Sequence, residues 1–166
     1  MPWTEISIDN LSGLNDFVSV QTGCSSYYKE TFVNSDSLKN YYSQKAILGL
    51  QPRMFIYRDA FYDLNLFTDL TYNKDAMHLE ILGVKRSPNV ISAANKLVDQ
   101  GTAILQEYGL TKIYARWCGS SADSGKTILM STWATTCASV LSGRGWNDYS
   151  FVSHKSGCYT LNATLP

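Results

Sequence analysis

The sequence is short of charge, of histidine and of rigid punctuation. Only 17% of its 166 residues are charged, 14 basic against 14 acidic, and it holds two histidines and four prolines. Zero formal net charge removes the general electrostatic case for a nucleic-acid partner. No apolar run approaches the roughly 18 residues of a membrane span, and the opening stretch MPWTEISIDN does not read as a secretion signal. The four cysteines, at 24, 118, 137 and 158, include no CxxC pair. A disulfide framework is therefore not expected; reduced thiols buried as small hydrophobes in a cytoplasmic protein are. His154 and Cys158 stand four apart, but no second close pair completes a site, so no metal is expected.

What is present is a well-supplied core. Apolar residues make up 45%, with eleven Tyr, six Phe and four Trp. That composition predicts one soluble domain over residues 1–166, with no repeat or linker. Alternation predicts a strand over 3–9. Asn10 or Ser12 can then cap a helix to Val20, and Ser35 or Asp36 a second helix to Ile47. Strands over 53–58, 60–72 and 77–84 follow, joined by connections short enough for hairpins. The clearest helix runs from Val90 to Tyr108 and stops at Gly109; a strand over 111–117, a helix over 126–142 and two short strands complete the chain. Hairpins feeding a strand–helix–strand crossover predict an α+β fold, with a mixed, mostly antiparallel central sheet and helices on both faces.

Two loops lead from a strand into a helix, the setting in which backbone amides hold phosphate. The later one, GSSADSGKT, offers Gly125-Lys126-Thr127 but has Ser120 where a phosphate-cradling loop needs its first Gly. That spacing fails, and a nucleotide-hydrolysing reading fails with it. The earlier one is VKRSPNVISAANKL (84–97), with Val84 and Leu97 framing Asn89, Ser92 and Ala94. Downstream come the strand KIYARW, Ala138 and Gly145-Trp146.

In the order of its elements and in these positions the chain resembles the GCN5-related N-acetyltransferase (GNAT) superfamily. The family pattern in the earlier loop is R/Q-x-x-G-x-G/A. Here Asn89 stands for the Arg or Gln, Ser92 for the first Gly, and Ala94 where Gly or Ala is usual. The resemblance implies that Leu82, Gly83, Val84, Asn89, Val90, Ser92, Ala93 and Ala94 hold acetyl-CoA, with bare peptide nitrogens from Asn89 to Ala94 facing its pyrophosphate. Lys85 and Arg86, just upstream, could answer the phosphates electrostatically. It implies Glu80 as general base, and His78, two residues earlier on a strand, can share that duty.

The departures bear on the chemistry. The family's frequent acid is a Tyr in the last helix, and this chain has Leu141 there. The acid is then Tyr149, Ser139, Ser142 or water, or there is none. Tyr72, Tyr114 and the Trp residues read as packing. Two functions follow. One is acetyl transfer from acetyl-CoA to an unknown amine by direct attack on the thioester. The other is an inactive GNAT-like domain acting as a structural, assembly or binding module with protein partners, for instance in a virus particle.

Overall fold

A computed structural model describes residues 3–22, 34–118, 135–146, 148–153 and 158–166. The elements are β1 (Trp3–Ile6), α1 (Leu11–Thr22), α2 (Ser35–Ile47), β2 (Arg53–Arg58), β3 (Asp63–Leu70) and β4 (Met77–Arg86). They continue with α3 (Val90–Glu107), β5 (Lys112–Cys118), α4 (residues 135–143), β6 (Tyr149–Ser153) and β7 (Cys158–Thr164). One seven-stranded sheet runs in the order β1-β2-β3-β4-β5-β7-β6. Every pairing is antiparallel except β4 with β5. The fold is α+β, as the sequence predicts.

Local chemistry sets where elements begin and end. The first strand stops at Ile6, earlier than alternation suggests, because Ser7 turns the chain: its carbonyl accepts from the Asn10 amide and its hydroxyl from that of Asp9. Asn10 caps α1 through Gly13. Asn34, not Ser35 or Asp36, caps α2, with Ser37 closing the capping box. The Asp59 carboxylate accepts from the amides of Phe61 and Tyr62 and folds a turn, so β3 begins at Asp63 instead of Ala60. The last helix is described only over 135–143; the Gly125-Lys126-Thr127 loop, His154 and Cys24 lie outside the described residues.

Alternation along the strands sorts the core onto two faces. Met54, Ile56 and Phe67 meet Leu14, Phe17 and Val18 of α1 and Leu38 of α2. Phe55, Leu66, Met77 and Leu79 meet Leu97, Ile104 and Leu105 of α3, with Leu141 and Trp146 beyond. The third strand of the sheet, β3, is buried along its whole length, polar residues included. Its Asn65 needs space: a Cβ on Gly83, its partner in β4, would lie 1.8 Å from Asn65 Oδ1. The Asn65 amide is committed in the other direction, donating to the Phe17 carbonyl of α1.

Two irregularities shape β4. Thr68 pairs with Leu79 while Phe67 pairs with Ile81, which leaves Glu80 as the extra residue of a β-bulge. A second shift, between Asp63 and Leu64, leaves Lys85 as the extra residue. On its other side β4 pairs with β5 only over Met77, His78 and Leu79. From Glu80 to Arg86 that edge of β4 has no ladder partner among the described residues. Gly83 lies on this stretch, and Gly83→Ala is expected to destabilise the fold by about 1–3 kcal/mol, as overpacking of a close-packed site does. Urea unfolding of that variant, with and without Asn65→Ala, checks it. Equal losses in both backgrounds would contradict the clash.

Candidate functional site

Asp69 of β3 and His78 of β4 stand opposite each other on the sheet face covered by α1 and α2. Glu80 joins them. His78 Nδ1 lies 3.2 Å from Asp69 Oδ1 and 3.0 Å from Glu80 Oε2. One ring N–H cannot point at both, and among the described residues neither of those oxygens, nor Asp69 Oδ2, has a partner in hydrogen-bond geometry. The contacts are ion pairs rather than aligned hydrogen bonds. Glu80 Oε1 accepts from the Tyr41 hydroxyl of α2. Lys45, one helical turn further, places Nζ 3.7 Å from Asp69 Oδ2 and 3.8 Å from Glu80 Oε2. Asp69 is fully buried and Glu80 is 5% exposed.

Burial decides the protonation. Burial alone would push His78 down, but its contacts with Asp69 and Glu80 and their charges outweigh that and raise it to about 9. The imidazole is therefore cationic at neutral pH and already holds its proton. For the carboxylates burial acts upward. In Asp69 it prevails, aided by the Glu80 charge. In Glu80 it is overcome by His78 and by the Tyr41 hydroxyl, and Glu80 is held below the ordinary range. Glu80 also accepts from Tyr41, while Asp69 carries the added repulsion of Glu80.

Glu80 and His78, two apart on one strand face, are legible in the sequence; Asp69, Tyr41 and Lys45 are not. A charged residue inside the apolar run LNLFTDL was the available signal for Asp69; no spacing links β3 or α2 to β4. The three donor atoms of Asp69, His78 and Glu80 lie within 4.8 Å of one another, close enough to share a metal ion. The Lys45 ammonium already stands against both carboxylates, so a cation is supplied by the chain itself.

Tyr114 of β5 pairs with His78, their rings 5.5 Å apart, and it also lines a cleft of about 360 Å³. Asp75, Asp148, Tyr149 and Asn162 line the same cleft. Tyr114 is thus half-buried beside a cleft rather than simple packing, and Tyr72 is 75% exposed with its ring under Lys45. Tyr149 is at the cleft, whereas Ser139 and Ser142 are exposed on α4 and Leu141 is buried in the core.

At the other end of β4, α3 starts at Val90. Asn89 Oδ1 accepts from the Ser92 amide at 2.8 Å and the Asn89 carbonyl from that of Ala93. Asn89 therefore acts as an N-cap, and only Val90 and Ile91 keep unspent amides among the described residues. Ala93 and Ala94 are fully buried, Ala93 against Tyr57 and Leu64. Arg86 is tied to the β2–β3 turn through the carbonyls of Asp59 and Ala60 and to Asp63, so its charge is not free for a phosphate. Lys85 is exposed and makes no ion pair among the described residues. Backbone of Leu82, Gly83 and Val84 lies on the stretch of β4 that has left β5.

The His78 pairing carries a pH dependence of stability. A histidine raised from about 6.5 to about 9 contributes stability that is complete below pH 6.5 and is lost as pH rises through 9. Thermal unfolding is expected to fall between pH 7 and 10 in the natural chain, and His78→Gln is expected to flatten that segment. An unchanged slope in the variant would show that His78 is not held by the carboxylates.

No family model matches the sequence, and no curated protein matches it. Solved structures do. Aminoglycoside 6'-acetyltransferase type Ii superposes with a TM-score of 0.60 at 11% identity, covering 100% of this chain and 99% of that one. A putative acetyltransferase from Salmonella typhimurium, solved with its cofactor acetyl-CoA, gives 0.56 at 9% identity, covering 99% and 93%. Spermidine N-acetyltransferase from Vibrio cholerae, solved with CoA and spermine, gives 0.51 at 14% identity, covering 97% and 92%. At such identities the likeness shows the architecture. The chain has the GNAT fold over its described length.

Proposed function

We propose that the chain transfers an acetyl group from acetyl-CoA to an amine. The observation that carries this reading is the parting of β4 from β5 after Leu79, at the bulge that holds Glu80. On the side away from β3 it leaves the Glu80–Val84 stretch without a strand partner among the described residues, next to a buried carboxylate pair. The pantetheine arm, an extended amide chain, is suited to pair with such an edge. The Val90 and Ile91 amides, at the positive end of the α3 dipole, suit the pyrophosphate. The exposed Asn89 oxygen competes for Ser92 until a phosphate oxygen replaces it. Acetyl-CoA supplies the activated carbonyl.

The remaining steps belong to the side chains. Asp75 and Asp148 in the cleft lining suit an ammonium, and Glu80, kept ionised, takes the proton that must leave before nitrogen can attack. His78, already cationic, positions both carboxylates and is not itself the acceptor of that proton. Leu141 offers no hydroxyl, and Tyr149, though it lines the cleft, packs against the core on the α3 face, opposite His78 and Glu80, so no side chain is assigned as donor to the departing sulfur. Leu141 and the Asn89 cap favour a second reading, a domain that keeps the fold without the reaction.

Calorimetric titration with acetyl-CoA separates the two. Micromolar binding is expected, and weaker binding for Asn89→Asp, whose fixed negative charge strengthens the cap and repels phosphate. Silence at millimolar ligand would leave the inactive module. For Glu80→Gln, acetylation of an amine is expected to slow by about 10²-fold or more with acetyl-CoA affinity unchanged. A wild-type rate would remove Glu80 from the mechanism.

A further inference from the structure

One group in the site is not accounted for by transfer to an external amine. Lys45 is an ammonium on a flexible alkyl chain, delivered from α2 into the place an acceptor amine would take. Its Nζ stands over the rings of Tyr41 and Tyr72, at 5.3 and 5.4 Å from their centroids, and faces Asp69 and Glu80. Its side chain is 14% exposed. At 3.7 and 3.8 Å it is attracted to the carboxylates without being hydrogen-bonded to them, and Asp69 Oδ2 and Glu80 Oε2 have no such bond at all among the described residues. No other described lysine stands within 4.0 Å of a carboxylate oxygen; Lys96 lies over Tyr57 and Tyr62, with Asp59 acting on it only at longer range.

We propose that Lys45 is itself an acetyl acceptor, taking the group from acetyl-CoA within the same chain. The inference rests on the acetyl-CoA reading above. The Lys45 ammonium gives one proton to Glu80, and the freed Nζ attacks the thioester carbonyl. The N–C bond forms and the C–S bond breaks. The second proton lost by nitrogen balances the one that the departing thiolate takes up to become the CoA thiol, while the proton on Glu80 passes to solvent. No redox partner is needed. The product is a neutral amide, which no longer pairs with Asp69 and Glu80, so modification clears the two carboxylates for an external ammonium.

The test uses the full chain with acetyl-CoA and no added acceptor, read by intact mass and by peptide mapping, with calorimetry on the same preparation. One acetyl group is expected on Lys45, formed at least about tenfold faster than on any other lysine, as proximity to a base requires. Its rate constant should be independent of protein concentration. Lys45→Arg should abolish that product, and Glu80→Gln should slow it while acetyl-CoA affinity stays the same. If acetyl-CoA binds but Lys45 stays unmodified, or is acetylated no faster than the other lysines or than in unfolded chain, the inference is overturned and the transfer reading stands. If acetyl-CoA does not bind, both fall.

Discussion

Two carboxylates buried side by side are the constraint around which the centre of this molecule is arranged. An unpaired ion in a protein interior costs several kcal/mol even after relaxation, and Asp69 and Glu80 are 0% and 5% exposed. They persist because His78 and Lys45 bring two positive charges into the same space, so that the cluster is neutral when His78 is protonated. The arrangement joins β3, β4 and α2 by charge where elsewhere they meet through Leu38, Phe67 and the rings of Tyr41 and Tyr42. It also fixes which group can accept a proton. Glu80 stays ionised because His78 is not neutral.

The bulge places the charge cluster where β4 leaves β5. Had β4 run regularly, it could have stayed in register with β5 and closed the sheet. The extra residue at Glu80 coincides with the end of parallel pairing, and the strand edge beyond it is left with peptide groups that must find partners elsewhere. The same residue thus supplies the carboxylate and marks the opening beside it. Tyr114, whose ring meets that of His78, also lines the cleft of Asp75 and Asp148 at the start of β4 and β5.

The fold was legible because its elements are locally determined. The 18-residue helix α3 is amphipathic, and the β2–β3–β4 connections are short, so order and class follow from periodicity. Boundaries were less legible, since Asn34 and Asp59 act through side-chain bonds that only the folded backbone makes available. The site was half legible. Glu80 and His78 share one strand, and the resemblance pointed to them. Asp69 lies across a hairpin and Lys45 arrives on another helix, so their convergence is a tertiary fact. Asn89 shows the opposite limit: position marked it for the ligand, while an Asn before a helix also satisfies the helix by itself.

The central claim is that the edge of β4 abandoned by β5 is where an extended thioester carrier pairs. Amide chemical shifts of the uniformly labelled chain, followed through a titration with acetyl-CoA, address it residue by residue. The account predicts the largest changes at the amides of Glu80 to Val84, with Val90 and Ile91 following at the same ligand concentration. Saturable changes confined to other parts of the chain, with that edge and the start of α3 unmoved, would contradict it.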